Sequence, residues 1–241
     1  MTPTDRFDRI KWSSFDPNIN YTRKYINEFY DLNSDCIEGV VLDIGAKKNE
    51  ESRYREISDS IGRYIAVDLE KGNGLSAIAD GRELPIKSES VDTVILSEVL
   101  EHVPPQDIST FLSEVYRVLE PDGTVLASTP FIHRLHGWPN DFSRLTPFGL
   151  QSIFESENFE PSITLGGGMG EILLHIVFIS FKSISGNLIG KEARWLFFPI
   201  HLLACFIAHL LAVVLRIFGT GKRLERWHLS QFVRAKKEGT V

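Results

Sequence analysis

Short apolar runs that each end in an acidic residue or a glycine recur between residues 40 and 98, and they constrain the fold more than any other feature. Their β-branched residues predict strands, and their continuous apolar character predicts a parallel sheet that is buried on both faces. In an open α/β sheet a ligand lies across the carboxyl ends of the strands. We therefore expect one crevice, bordered by Asp43, Gly45, Asp68, Leu69, Asp80, Gly81, Ser97 and Glu98.

Two of these residues indicate a nucleoside-containing ligand. Gly45 has no side chain and permits close approach of the backbone. Asp68 ends the second strand, where nucleoside-binding folds commonly place a carboxylate that accepts both ribose hydroxyls. The acidic residues at the strand ends also have simpler explanations: Asp43 could cap a helix, Asp68 could begin a turn with Gly72 and Gly74, and Asp80-Gly81 is a common turn dipeptide. Four polar positions at four strand ends favour the ligand site.

Five sequence segments carry a family resemblance. They are LDIGA, IAVDLE, ADGRELP, VDTVILSEVLEHV and EVYRVLEPDGTVLASTP, in this order within residues 39–165. The series resembles the class I S-adenosylmethionine-dependent methyltransferases, particularly the branch related to ubiquinone and menaquinone methyltransferases. The resemblance implies an α/β fold with a Rossmann-like seven-stranded sheet, helices on both faces, S-adenosylmethionine as the cofactor and methyl transfer as the reaction.

The resemblance also gives each strand end a part of the cofactor. It implies that the methionine half lies by Asp43, Gly45, Ser97 and Glu98, the ribose by Asp68 and Leu69, and the adenine edge by Asp80 and Gly81. The chain departs from the family after Gly45, where Ala46-Lys47-Lys48-Asn49-Glu50 replaces the usual Gly-Cys-Gly-x-Gly. Because glycine reaches positive φ at little cost, this departure leaves a non-catalytic scaffold as the alternative hypothesis.

The acceptor side is predicted in the loop at 131–146, which is dense in His, Arg, Asp and Trp. It resembles a Pro-Phe … His-Gly-x-Pro … Asp-Phe/Tyr-x-Arg-x-Thr signature of bacterial methyltransferases found with polysaccharide biosynthesis. A hydroxyl nucleophile benefits from a general base within hydrogen-bond reach. The candidates are His136 and His133 as bases, Asp141 as base or orienting group, and Arg144 and Trp138 for substrate binding.

Residues of the same loop also have purely structural explanations. Asp141 and Arg144 could form an ion pair that only organises the loop, and Thr146 with Pro147 is predicted to begin the next helix as N-cap and first residue. Residues 97–102 are predicted to open a helix over the crevice. His102, in this apolar stretch, is predicted to be a buried, hydrogen-bonded histidine rather than a catalyst.

Residues 195–215 lack charged side chains and are long enough to span a bilayer. A single crossing conflicts with the predicted sheet, because residues 227–236 read as its last strand, returning between the fifth and sixth strands. Three hypotheses remain for residues 171–219: a membrane-seated helical hairpin, an interfacial helix, or a dimer or tunnel surface. The flanking residues Arg194, Trp195, Arg216, Lys222, Arg223, Arg226 and Trp227 favour lipid contact, and His201 and His209 are predicted to form a polar stripe.

Chain length and cysteine content limit the possible domains and metal sites. The chain has 241 residues, which suffices for one α/β domain and an additional element. Its boundaries are predicted as an arm and helix at 1–38, the core at 39–168, an apolar helical insertion at 169–225, and the last strand and tail at 226–241. Cys36 and Cys205 have no metal or disulfide spacing, so no metal is predicted and a reducing compartment is indicated.

Charge and the N-terminal residues complete the prediction. A net charge of −6 argues against a nucleic-acid partner. The N-terminus lacks a secretory signal pattern, so we expect a cytoplasmic protein, peripheral or monotopic at the inner face of the membrane, with a homodimer possible. The predicted reaction is methyl transfer to a hydroxyl of an amphiphilic acceptor such as a lipid-linked sugar. The alternatives are a quinone-like lipid ring as acceptor, or a membrane-bound scaffold without activity.

Overall fold

The structure is a computed structural model that describes residues 8–10, 21–46, 51–187, 199, 202–204, 206–208, 210, 211, 214 and 228–238. Contacts divide the chain into two compact units. One unit comprises Met1–Tyr25 with Leu165–Ser230, and the other comprises Ile26–Thr164 with Gln231–Val241. The second unit holds the predicted crevice and is called the core unit below.

Seven strands form the sheet of the core unit. They are β2 (Gly39–Ile44), β3 (Ile61–Asp68), β4 (Ala77–Ile78), β5 (Val91–Ser97), β6 (Leu119–Pro130), β7 (Phe159–Gly166) and β8 (Ser230–Lys237), and the short strand β1 (Asp8–Ile10) precedes them. Their order across the sheet is β7-β8-β6-β5-β2-β3-β4. Parallel pairing joins β4 to β3, β3 to β2, β2 to β5 and β5 to β6. The carboxyl ends of these five strands therefore meet at one edge.

The central strands are buried on both faces, as their continuous apolar runs predict. Val41 and Leu42 of β2 and Val94, Ile95 and Leu96 of β5 are fully buried. Removing this apolar surface from water contributes roughly 25 cal/mol per Å². The most strongly buried strands thus fix the edge from which the polar loops emerge.

The described residues include five α-helices: α1 (Tyr21–Leu32), α2 (Glu51–Ile57), α3 (Ile108–Val118), α4 (Pro147–Ser156) and, in the other unit, α5 (Met169–Asn187). Helix α3 turns Phe111, Leu112 and Val115 into the core. Helix α4 begins as predicted, because the Thr146 side chain accepts a hydrogen bond from Gly149 N at 3.1 Å and Pro147 follows the cap.

The structure confirms the predicted seven-stranded, Rossmann-like α/β sheet and the place of the last strand between the fifth and sixth. The prediction that residues 97–102 open a helix is wrong. Two 3-10 turns, Leu100–His102 and Pro105–Asp107, precede α3 instead. Pro104 and Pro105 explain the difference, since proline disfavours helical backbone in the residue before it.

The other unit contains α5 and scattered helical residues of the predicted apolar insertion. No helix within the described part of the chain is both long and apolar enough to cross a membrane. The predicted flanking residues Arg194, Trp195, Arg216, Lys222, Arg223, Arg226 and Trp227, and the stripe of His201 and His209, lie outside the described residues.

Candidate functional site

A cavity of about 550 Å³ opens at the carboxyl ends of the parallel strands. Six of the eight predicted cofactor residues line it: Gly45, Asp68, Leu69, Asp80, Gly81 and Glu98. Asp43 and Ser97 are not part of its wall. The cavity is also lined by residues that the sequence did not single out, among them Val99, His102, Phe111, Gly137, Asn140 and Phe142.

Gly45 gives the cavity its floor because no side chain fits there. Its φ is +81°, a value that favours glycine. A Cβ at this position would lie 2.6 Å from Cγ2 of Val99. The backbone N–H groups of Gly45 and Ala46 both donate to the Val67 carbonyl, at 2.9 and 3.1 Å, and hold the turn.

Asp68 stands at the end of β3 on the cavity wall. One of its carboxylate oxygens accepts a hydrogen bond from Glu70 N at 2.8 Å, which forms a tight turn after the strand. Leu69 within this turn is 65% exposed. A carboxylate in this position suits recognition of a pair of hydroxyls.

Asp80 and Gly81 line the opposite part of the wall in an arrangement fixed by Arg82. The Asp80 carboxylate accepts from Arg82 Nη2 at 2.7 Å, and Arg82 Nη1 reaches Asp107 at 2.5 Å. These hydrogen bonds from Arg82 lower the pKa of Asp80. A side chain on Gly81 would overlap the Phe111 ring, so the narrow turn depends on glycine.

Asp43 is 4% exposed and is not among the residues that line the cavity. Its carboxylate accepts a hydrogen bond from the Tyr64 hydroxyl. Tyr30 and Tyr54 are buried beside it, and burial raises the pKa of both phenols. Through this hydrogen bond Asp43 joins the carboxyl end of β2 to Tyr64 of β3.

Glu98 is held in a strained conformation at the end of β5. Its φ is +57°, and its N–H donates to the Ser128 carbonyl at 3.0 Å and to Ser128 Oγ at 3.1 Å. A non-glycine residue with this φ costs about 1–3 kcal/mol, and such residues cluster at functional sites. The conformation brings Glu98 to the cavity wall, whereas Ser97 remains outside it.

The loop at 131–146 closes against the 3-10 turn that contains Glu101 and His102. Phe142 N donates to the Glu101 carbonyl at 2.9 Å, and His102 Nδ1 lies 2.5 Å from the Asn140 carbonyl. Gly137 allows this packing, because a Cβ there would lie 2.5 Å from Cε1 of His102. The predicted acceptor loop thereby meets the cofactor cavity.

An Asp141–Arg144 pair organises that loop. Asp141 has a side chain that is 1% exposed, and its two oxygens accept from Arg144 Nη1 at 2.5 Å and Nη2 at 2.8 Å. Asp141 Oδ2 also accepts from His136 N at 2.9 Å. Hydrogen bonding to Arg144 lowers the pKa of Asp141. This geometry matches the loop-organising alternative and the orienting role, not a free base.

Three histidines form a row that starts at the cavity wall. The His102 and His136 ring centroids are 5.0 Å apart, and those of His136 and His133 are 4.7 Å apart. The buried Glu101 carboxylate lies 3.7 Å from His136 Nε2 and raises the pKa of that imidazole. Burial lowers the pKa of His133. Burial thus favours the neutral form of His133, whereas the nearby carboxylate favours the protonated form of His136.

The predicted substrate residues differ in exposure. Trp138 is 81% exposed and does not line the cavity. Arg144 is engaged by Asp141. Both predicted roles stay predictions, and Trp138 has the freedom to meet a ligand that extends out of the cavity.

The sequence predicted no site role for His102 or Glu101. His102 is hydrogen-bonded as predicted, but its side chain is 30% exposed and forms part of the cavity wall. Glu101, next to it, has a side chain that is only 1% exposed. The available signal was a Glu-His dipeptide within a few residues of a strand end; the apolar neighbours Val99, Leu100 and Val103 obscured it.

The cavity suits S-adenosylmethionine in size and chemistry. Small-molecule sites commonly measure about 300–1,000 Å³, and this cavity lies within that range. Gly45 offers bare backbone where a side chain would fill the space, and Asp68 offers a carboxylate for the ribose hydroxyls. When bound, this cofactor supplies an electrophilic methyl group on a sulfonium.

Comparison with known proteins is consistent with this geometry. Residues 42–127 match a family model described as a methyltransferase domain. A protein of Mycolicibacterium smegmatis, named as a probable S-adenosylmethionine-dependent methyltransferase, is 38% identical over 112 residues. That alignment covers 43% of this chain and 39% of the relative, so the chain spans about two fifths of the length of the curated relative that it matches.

Solved structures share the fold at low identity. An S-adenosylmethionine-dependent methyltransferase from Archaeoglobus fulgidus superposes with a TM-score of 0.56 at 17% identity, covering 89% of this chain and 94% of that one. The [4+2]-cyclase SpnF gives a TM-score of 0.60 at 13% identity, with coverages of 95% and 87%. A Haemonchus contortus phosphoethanolamine N-methyltransferase in complex with S-adenosylmethionine gives 0.52 at 15%, with coverages of 88% and 52%. Together these solved structures confirm the predicted fold, and the match to the methyltransferase-domain model covers residues 42–127 of this chain.

Proposed function

We propose that the protein is an S-adenosylmethionine-dependent methyltransferase that methylates a hydroxyl of an amphiphilic acceptor, such as a lipid-linked sugar. The observation that carries this proposal is the cavity at the strand ends, where Gly45, Asp68 and Glu98 lie on one wall and His102 begins the histidine row. The wall suits the cofactor, and the row suits activation of a hydroxyl.

The core unit positions the cofactor from fixed backbone. Gly45 and Glu98 have positive φ values that define the methionine side, Asp68 binds the ribose, and Gly81 with Asp80 borders the adenine. Alignment of the acceptor oxygen with the methyl group supplies most of the rate enhancement, because it replaces an encounter between separate molecules.

The histidine row takes the acceptor proton. His133 donates from Nδ1 to the Arg134 carbonyl across 2.9 Å, which leaves Nε2 as the basic nitrogen of that tautomer. Asp141 Oδ2 lies 3.3 Å from His136 Nδ1 and orients the middle ring. General-base assistance of this kind contributes roughly 10²–10⁴-fold to a rate.

An exposed apolar surface supports the amphiphilic acceptor and a place at the membrane. Leu203, Phe206, Ile207 and Leu210 are each more than half exposed on helical residues of the insertion. Large exposed apolar patches mark sites of membrane or protein contact. The proposed enzyme is peripheral or monotopic at the cytoplasmic face, where it meets acceptors with lipid tails, including those of polysaccharide biosynthesis.

Two alternatives are compatible with the same structure: a quinone-like acceptor could use the same cavity, and a scaffold without activity could have the same fold. Fold alone does not establish the reaction, and the similar chain of SpnF is named a cyclase. The cofactor residues therefore need a direct test.

The first test is calorimetric titration of the full chain with S-adenosylmethionine and S-adenosylhomocysteine. We expect micromolar binding that weakens at least about tenfold in Asp68→Asn, since a buried hydrogen bond to a charged group contributes about 1.5–3 kcal/mol. Asp59→Asn, at an exposed turn residue outside the cavity, is the matched control and should bind normally. No binding by the unmodified protein would make the scaffold the leading explanation.

The second test follows the methyl group. The protein is incubated with methyl-labelled S-adenosylmethionine and a membrane lipid extract, and the labelled products are separated into glycolipid and quinone fractions. Label in the glycolipid fraction supports the proposal. Label confined to the quinone fraction would replace the proposed acceptor, and binding of the cofactor without any transfer would contradict an acceptor in that extract.

A further inference from the structure

The carboxylate of Glu101 is the least satisfied charged group of the core unit. Its side chain is 1% exposed, and neither oxygen accepts a hydrogen bond from any described residue. Burying an ionised carboxylate is costly unless it is paired or bound to a metal. The nearest cationic or basic atoms are Nε2 of His136 at 3.7 Å and Nε2 of His102 at 3.9 Å.

The three side chains are arranged as a set of metal ligands. One ligand atom from each of Glu101, His102 and His136 lies within 4.8 Å of the other two. Ligands at Zn–N and Zn–O distances of about 2.1 Å stand roughly 3.4 Å apart in a tetrahedral site. Side-chain movements of about an ångström or less would bring the three atoms to that spacing.

Both histidines are turned for coordination through Nε2. His102 Nδ1 faces the Asn140 carbonyl at 2.5 Å, and His136 Nδ1 faces Asp141 Oδ2 at 3.3 Å. A metal-bound histidine usually donates its second N–H to such a carbonyl or carboxylate, which fixes the ring and its tautomer. Arg144 Nη2 also lies 3.4 Å from His136 Nδ1, but its shorter contact is to Asp141 Oδ2 at 2.8 Å.

Local charge favours a bound cation. Glu98, Glu101 and Asp141 contribute three carboxylates near the Arg144 guanidinium. A divalent ion bound there would offset negative charge that Arg144 alone does not balance. Two imidazoles with one carboxylate suit zinc, cobalt or iron better than magnesium or calcium, which prefer oxygen ligands.

We propose that Glu101, His102 and His136 bind one divalent transition-metal ion at the edge of the cavity. The sequence had predicted no metal, because its cysteines lack metal spacing. Three protein ligands leave coordination positions open, as in catalytic metal sites. Resting on the proposed function, this site selects acceptors that present two neighbouring hydroxyls to the ion, and it lowers the pKa of the one to be methylated. The proton released from that hydroxyl passes to His133 or to water.

The test uses the metal ions alone, without cofactor or acceptor. The chelator-treated full chain is titrated with CoCl2 and ZnCl2, and Co²⁺ binding is followed by visible absorption and calorimetry. We expect one ion per chain, no comparable binding of MgCl2, and at least about a hundredfold loss of Co²⁺ affinity in Glu101→Gln. Glu120→Gln, the same substitution at the start of β6, is the matched control and should bind normally.

Each outcome decides the assignment. Failure of the unmodified protein to bind Co²⁺ and Zn²⁺, or equal binding by Glu101→Gln, overturns the site. His102→Gln is the second variant, because the His102 side chain is 30% exposed and its replacement disturbs packing less than a change at Glu101. Unchanged metal binding in His102→Gln also overturns the site. Metal binding in a protein that does not bind S-adenosylhomocysteine would sink the proposed function alone, and the reverse result would sink the metal site alone.

Discussion

At the scale of single residues, the site depends on backbone conformations that few residue types tolerate. Gly45 combines a φ of +81° with a Cβ position 2.6 Å from Val99 Cγ2. A substitution there meets two separate obstacles, one in its own backbone and one in a neighbouring side chain. The two can be separated by experiment.

We predict that Gly45→Ala lowers the free energy of unfolding by about 2–6 kcal/mol, because backbone strain and overpacking each cost about 1–3 kcal/mol. Denaturant unfolding measures the change. The double variant Gly45→Ala with Val99→Ala should lose less stability than the sum of the two single variants, because the overlap is removed and only the backbone strain remains. Gly62→Ala is the control, since its Cβ would meet nothing closer than 3.4 Å. An equal loss in Gly62→Ala would contradict the explanation.

At the scale of elements, the loop at 131–146 depends on one buried ion pair. Hydrogen bonding from Arg144 lowers the pKa of Asp141. A carboxyl group with a depressed pKa contributes stability above its unfolded value, roughly 3.9, and that contribution is lost as the pH falls toward the folded pKa. The stability that the Asp141–Arg144 pair contributes should therefore decrease as the pH falls below about 4.

We predict that Asp141→Asn costs about 2 kcal/mol at pH 7, since a hydrogen bond to a charged group contributes about 1.5–3 kcal/mol. The cost should shrink as the pH falls from 5 to 3. Glu51→Gln is the matched control, because Glu51 pairs with Arg55 at 2.8 Å on the surface, and such pairs contribute about 0.3–0.5 kcal/mol. Unfolding measured at each pH decides the point, and a pH-independent cost would show that Asp141 does not act through its charge.

Among the elements of the fold, those set by local sequence were predicted, and those set by contacts between distant segments were not. The apolar runs predicted the strands, because a strand buried on both faces has apolar residues at nearly every position. Thr146-Pro147 predicted a helix start, because threonine caps a helix and proline is tolerated as its first residue. Glu101 and His102 were missed because their role arises from the loop that folds over them, through Phe142 N and the Asn140 carbonyl. Contacts between segments some forty residues apart leave no periodic trace in the chain.

At the scale of the whole molecule, the insertion exposes an apolar surface that water disfavours. Leu203 is 59% exposed, and Leu210, seven positions later in the sequence, is 54% exposed. Both residues are helical. Phe206 and Ile207 lie between them and are similarly exposed. Exposed apolar surfaces are typical of contact with lipid or with another protein, and the two kinds of contact predict different results with vesicles.

We predict that the protein floats with phosphatidylglycerol-containing vesicles and that Leu203→Glu with Leu210→Glu lowers this binding at least about tenfold. The reason is that burying a leucine side chain contributes about 1.5–3 kcal/mol, and each of these is roughly half exposed. Leu32→Glu is the matched control, because Leu32 is 67% exposed on α1, away from the insertion in sequence. If the unmodified protein stays at the bottom of the gradient, yet sedimentation shows a dimer that the double variant dissociates, the surface binds a second copy of the chain and the membrane proposal is wrong. Equal loss of flotation in Leu32→Glu would mean that added negative charge, not the lost apolar contact, repels the vesicle.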